Sequence, residues 1–408
     1  MDQNIIGIFE DMAMFGTAPE DGCSLFGVGY DDVFARLKDT YLVNRFTRGG
    51  SAEKFVVGPF GSGKTHFLHQ LMEVARDVGC VTAKVTLNKD IDFTQSLIVY
   101  KEVIRELRSP LDGSQGVRSL LIAIVEHIRK KAPNKSAEDI LLLGWISGLD
   151  KVDFKLDVFA KVVKVALMAY VNGDEAVFEA ATRWIAGEIN DKALASELRV
   201  PQVTKSEHNL FAKRALLSLF QLVKHAGFQG TVLCFDEAEQ GFSVDKKRSE
   251  RILSMLMAGI NAVVDLKKGS ALITYALTPD LIAKMETFAA LQQRVADPGA
   301  GNGFFDGNTL APLIDLSKRA DPVKELQAIG NRLVDLLYQA AGEAIAVNKQ
   351  EVLVEISNIA DNIASEDIST SNRRTMVKHT CTMLINLLNT GIIQAAVSTS
   401  YDSEEDEV

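Results

Sequence analysis

Apolar positions along this chain recur in two rhythms, and the change from one to the other outlines a fold. A short apolar run at 54–57 leads straight into glycines, and 65–78 then repeats apolar residues at the three-to-four spacing of a helix. Residues 81–87 alternate as a strand does. Strand, loop, helix, strand is the opening of a parallel α/β sheet. The same signature returns at 230–235, an apolar run ending in Asp236-Glu237, and at 271–277, ending in Thr278-Pro279.

Between these strand regions the pattern is almost wholly helical. Residues 98–226 read as a helical insertion, and 323–346, 350–362 and 373–389 as further helices beyond the sheet. Inside the insertion, Gly144-Trp-Ile-Ser-Gly148 and Arg183-Trp-Ile-Ala-Gly187 resemble each other and hold both tryptophans of the chain. They fit either a repeated helix pair or two separate tryptophan anchors beside glycine helix ends. The predicted layout is a lead-in at 1–50 with loop signals near Gly16–Gly29 and an amphipathic helix at 31–41. A first core segment follows at 51–97, then the insertion at 98–226, a second core segment at 227–320, a C-terminal helical lid at 321–395 and an acidic tail at 396–408. The fold class predicted by this layout is α/β, a parallel-sheet core with a large helical insertion and a C-terminal helical lid.

Composition narrows the function classes. At 408 residues, with 47% hydrophobic and 24% charged residues, the chain can bury a sizeable core in two or three packed units. No window offers the run of roughly 18 apolar residues that a membrane span needs, and the acidic start lacks the basic region of a signal peptide. The expectation is a cytoplasmic protein with no membrane partner. Cys23, Cys80, Cys234 and Cys381 are scattered without C-x-x-C spacing, which points to reduced thiols rather than a disulfide framework or zinc. Half of the net charge of −10 belongs to Asp402, Glu404, Glu405, Asp406 and Glu407, in a tail whose composition predicts disorder. The acidic body argues against coating DNA by charge alone, though a local basic strip could still track phosphates.

Chemistry concentrates first at Gly58-Pro-Phe-Gly-Ser-Gly-Lys-Thr65, a complete G-x-x-x-x-G-K-T string between predicted strand and predicted helix. Gly61 and Gly63 let main-chain N–H groups turn inward around phosphates, and the following helix aims its positive dipole end at them. Lys64 reaches the β- and γ-phosphates of ATP, and the Thr65 hydroxyl ligates Mg²⁺. The binding set is Gly58, Pro59, Phe60, Gly61, Ser62, Gly63, Lys64, Thr65 and His66.

The second concentration is the acid pair. Strand ends are where open parallel sheets place ligands. There Asp236 holds Mg²⁺ through its water shell and Glu237 polarises the attacking water, because metal binding and proton acceptance need separate carboxylates. Thr278, ending the strand expected between the two motifs, either senses the γ-phosphate or caps the helix that opens at Pro279. Charge on the transferred phosphoryl group calls for an arginine. Arg294, Arg373 with Arg374, and Arg45 with Arg48 are the candidates, and an Arg294 reaching into a neighbour's site would imply a homo-oligomer. His66 and His69 share a helix face without a third metal ligand. The basic clusters 129–131 with Lys135, and 246–248 with Arg251, fit DNA phosphates or solvated helix faces. An ATP-gated scaffold and a phosphotransferase share the phosphate loop and remain open beside hydrolysis.

Several strings together resemble the BREX-type ATP-binding family, AAA+-like P-loop proteins of bacterial phage-resistance loci. They are VVGPFGSGKTHFL, VTAKVTLNKD followed by VYKEVIREL, RWIAGE, and LVKHAGFQGTVLCFDEAEQ, where a turn from Gly227 to Gly230 precedes the acidic strand. The likeness runs from about Gly27 to Leu388. It implies an ATP-driven component of a multi-protein defence system that acts near DNA and with other defence-system proteins. It also implies that the segment around Val28 and Gly29 contacts adenine and that Arg373 is the second sensor arginine, although Asn372 stands where the family pattern has a proline.

Overall fold

The computed structural model describes residues 2–17, 19–88, 90–91, 93–238, 250, 253–254, 257–259, 261–263, 266, 268–286, 292, 303–317, 322–366 and 372–393. These divide into two compact units, one built from 31–58 and 71–316, the other from 1–30, 59–70 and the chain from Ser317 onward.

The larger unit is organised by one parallel sheet. Strands β1 (Ala52–Val57), β2 (Cys80–Thr86), β3 (Gly230–Asp236), β4 (Ala271–Leu277) and β5 (Leu313–Asp315) lie in the order β2-β3-β4-β1-β5. This is the expected α/β class, and β4 does stand between β1 and β3. Every residue of β3 and β4 is buried, so both faces of the central strands are covered and their sequences read as unbroken apolar runs. The register puts Phe55 and Tyr275 side by side, and Tyr275 beside Phe235. Their rings stack at 5.5 and 5.4 Å, an aromatic ladder that locks three strands in one alignment. At Gly230 any side chain would bring Cβ within 2.3 Å of the Ser270 carbonyl and 2.5 Å of Phe46, so glycine alone lets β3 start there.

Between β2 and β3 the described residues form the α-helices Ser96–Glu106, Gly116–Arg129, Lys135–Gly148, Phe159–Asn172, Glu175–Ile185, Lys192–Glu197 and His208–Ala226. Their apolar faces and the sheet share one continuous core. The two tryptophan segments sit differently within it. Trp184 is buried, edge-on to Phe211 at 5.3 Å, whereas Trp145 is only partly buried and stacks on His225 at 5.4 Å. His127 stacks in the same manner on Phe228 at 4.6 Å.

β1 carries an unusual core residue. Lys54 is 2% exposed, and its Nζ donates to the carbonyls of Ala311 at 2.5 Å and Thr309 at 3.2 Å, lying over the rings of Tyr41 and Phe304. A buried ammonium is tolerated when its donors are spent and aromatic faces surround it. Tyr41 belongs to a π-helical stretch, Lys38–Arg45, that continues the expected amphipathic helix (Asp31–Leu37), and its hydroxyl donates to Thr309 at 2.5 Å. Burial pushes the Tyr41 phenol up to about 12 against the opposing charge of Arg45. The chain leading into β5, a three-residue strand that the hydrophobic pattern does not mark, is thereby clamped to β1.

The smaller unit has its own core, from Phe9, Met12 and Phe26 through Leu333, Leu337, Ile356 and Ala360 to Met376, Leu384 and Leu387. The C-terminal helices are Pro322–Ala341, Lys349–Glu366 and Asn372–Thr390, within a few residues of the sequence expectation. The lead-in contributes a helix the sequence reading leaves out, Gln3–Phe15, capped by Asp2 and ended by Gly16 in the left-handed region. The acidic tail lies outside the described residues. All four cysteines are buried thiols, and no helix among the described residues is long and apolar enough to cross a membrane.

Candidate nucleotide-binding site

β1 delivers the glycine-rich loop to the C-terminal edge of the sheet. Gly58 still donates to the Leu277 carbonyl at 3.1 Å, and the chain then leaves the ladder. Ser62 N–H turns back to Pro59 at 3.3 Å, and Phe67 N–H to Gly63 at 2.9 Å begins the helix Lys64–Asp77. Gly61 and Gly63 have φ of 74° and 86°, a conformation that side chains disfavour, so these two glycines are what allow the turn. The helix that follows presents its N-terminal N–H groups and dipole end, the physical requirement for an anion.

Lys64 is 8% exposed. Its Nζ donates to the Pro59 carbonyl at 3.1 Å and lies 5.3 Å from the centre of the Phe60 ring, which is itself exposed. Ser62 is buried and its Oγ has no hydrogen-bond partner among the described residues. A lysine, an unsatisfied hydroxyl and a helix N-terminus converge here, a donor set that fits phosphate oxygens.

Elements of the smaller unit gather on this loop helix. His69 Nδ1 donates to the Pro19 carbonyl at 2.6 Å, Tyr30 meets Phe67 edge-on at 5.5 Å, and Gly27 abuts the Gln70 amide. Val28, partly buried, and Gly29, at φ 73°, therefore belong to a segment held against the helix. His69 is committed to Pro19, and the described residues contain no group of three or more His, Cys, Asp or Glu poised to hold a metal. Of the two adjacent arginines, Arg373 meets the loop: Nη1 donates to the Ser62 carbonyl and Nη2 pairs with Glu325 at 2.9 Å. Arg374 packs instead near Gly16. Sequence reasoning missed Glu325, because no motif or helical spacing ties it to an arginine 48 positions later.

The acid pair closes β3 in the larger unit. Asp236 is 3% exposed, its Oδ1 accepts from the Glu237 N–H at 3.0 Å, and its carbonyl accepts from Leu87 at 3.0 Å. Glu237 stands at φ 51°, a left-handed conformation that costs a non-glycine residue of order 1–3 kcal/mol. Phe235 pairs with Tyr275 and Val57 with Leu277, so Asp236 ends at the same edge of the sheet from which Gly58 departs. Two strand spacings, about 10 Å, separate β1 from β3. Thr278 is nearly buried at the end of β4, and its carbonyl accepts from Leu281 and Ile282 at the start of the helix Pro279–Glu286.

The remaining candidates divide. Arg294 and the basic residues 246–248 and Arg251 lie outside the described residues. Arg45 Nε donates to the Ser51 carbonyl at 2.7 Å. Arg129 pairs with Asp139 and Lys131 holds the Ala226 carbonyl at 2.9 Å, so this basic cluster is partly spent on the fold.

A parallel five-strand sheet in this order, with a G-x-x-x-x-G-K-T loop leaving β1 at its C-terminal edge, defines a P-loop-like α/β protein. The chain belongs to the BREX system ATP-binding protein BrxC/D family, which it matches over residues 8–395. It is accordingly an ATP-binding component of a BREX phage-defence system, a setting that implies other proteins of that system. No curated protein matches the sequence.

Proposed function

We propose that this protein hydrolyses ATP to ADP and phosphate and couples the nucleotide cycle to conformational change or assembly, on DNA or with partner proteins of the defence system. The observation that carries the reading is Glu237, held in a strained left-handed conformation directly after a buried aspartate, at the sheet edge where the phosphate loop begins. Strain of this kind persists where the surrounding fold enforces it, and it clusters at functional sites.

Lys64 and the first turn of its helix bind and neutralise the β- and γ-phosphates, while Val28 and Gly29 take the adenine. Thr65 and Asp236 would hold Mg²⁺, which when bound supplies charge neutralisation across the phosphates. Glu237 accepts the proton of the attacking water, and Thr278 orients the γ-phosphate side of the site. Arg373 faces the growing negative charge, with Arg294 completing the site of a neighbouring copy in a homo-oligomer of the cytoplasm.

Turnover of ATP by the purified protein, with and without duplex DNA and across a range of protein concentrations, tests the proposal. Glu237→Gln is expected to retain ATP binding and lose turnover by about 10²-fold or more. Turnover equal to that of the parent would instead favour an ATP-gated scaffold, and transfer of phosphate to an acceptor other than water would favour a phosphotransferase.

A further inference from the structure

Arg373 occupies an electrostatically unfavourable place. It lies in the first turn of the helix Asn372–Thr390, a turn that contains no acidic residue and where the helix dipole repels a cation. Glu325 sits in the first turn of the helix Pro322–Ala341, where the dipole favours an anion. The two side chains, 17% and 11% exposed, pair at 2.9 Å through Nη2, while Nη1 of the same guanidinium donates to the carbonyl of Ser62 inside the phosphate loop. One largely buried cation thus links a carboxylate of the C-terminal helices to the loop that takes the phosphates. Carboxylate and phosphate oxygens both accept from the donor fork of a guanidinium, so either group can take the same place on it.

We propose that Glu325 is a positioning residue that competes with nucleotide phosphates for Arg373 and so sets the affinity of the loop for ATP. The inference rests on the nucleotide reading of the loop and deepens it. Glu325 touches no reacting atom. Its carboxylate balances the guanidinium until phosphate oxygens reach Arg373, and the exchange of partners transmits the state of the loop to the helix Pro322–Ala341.

The test is the affinity of full-length Glu325→Gln for ATP, ADP, AMP and adenosine, measured by calorimetry beside the parent and Arg373→Ala/Glu325→Gln. Removing the carboxylate charge while keeping its shape is expected to tighten ATP binding about tenfold, a typical coupling between linked sites. The gain should shrink with each phosphate removed, vanish for adenosine, and disappear in the double variant. Glu325→Ala serves as the second variant, with a thermal melt of each protein to confirm folding. Unchanged or weaker ATP binding in folded Glu325→Gln overturns the proposal, as does an equal change for adenosine, which would mark a merely structural role. A parent protein that binds no ATP overturns the nucleotide reading itself, and the inference with it.

Discussion

Asp236 Oδ1 accepts the main-chain N–H of Glu237 at 3.0 Å, and that bond accompanies the turn of Glu237 into the left-handed region at φ 51°. One carboxylate spends an acceptor on fixing the backbone of the next. The left-handed turn carries a local cost that the surrounding fold offsets.

Replacing Glu237 by glycine should separate stability from activity. Glycine adopts positive φ freely, so Glu237→Gly is expected to gain about 0.5–1 kcal/mol of stability while losing ATP turnover. Urea denaturation and a phosphate-release assay on the same preparation read the two effects, and a less stable variant would show that the conformation carries no strain.

Lys64→Ala removes the cation that now lies against Pro59 and the Phe60 ring. ATP affinity should fall by about 10²-fold or more, the scale of a lost charge-assisted contact to phosphate. Stability should change little, since the Pro59 bond is a local one within the loop, and a fluorescent ATP analogue titrated into both proteins provides the comparison.

Lys54→Met tests the clamp between β1 and the chain entering β5. The Ala311 carbonyl would lose its donor from Nζ in a buried setting, a defect expected to cost about 2 kcal/mol or more. A methionine variant as stable as the parent in urea would mean that the apolar stem of the lysine, rather than its charge, does the holding.

Acid should weaken the larger unit through two stacked histidines. Burial, reinforced by the charges of Lys131 and Lys130, holds the His127 imidazole below its ordinary value, and burial alone does so for His225. As pH falls, the unfolded chain takes up these protons first. Their contribution is intact above the ordinary imidazole value of about 6.5 and declines as pH drops through the window beneath it. The urea midpoint should fall between pH 7.5 and 5.5, and fall less in His127→Phe/His225→Phe, whose rings can still stack.

The fold was largely readable because its signals are local. An apolar run such as 230–235 is a buried parallel strand almost by composition, and Gly61 and Gly63 announce a turn that only glycine makes easily. The missed parts depend on distant partners. The helix Gln3–Phe15 contains a glycine and derives its stability from burying Phe9 and Met12 in the core of the smaller unit, while β5 is three residues held by bonds to β1. The same limit applied at the site. The phosphate loop and acid pair are each contiguous in sequence, whereas the contact of Arg373 with Ser62 and Glu325 exists only once three separated segments have folded together.

The placement of β1 has a consequence for biosynthesis. Both of its neighbours, β4 and β5, lie more than 200 positions downstream, since Ala52 pairs with Leu272 and Phe55 with Leu313. A ribosome must release most of the polypeptide before the segment bearing the phosphate loop finds a partner, and until then an apolar strand with unpaired edges is open to other nascent chains. Truncations ending upstream of Ala271 should accordingly collect in the insoluble fraction or on chaperones, however well their helices form.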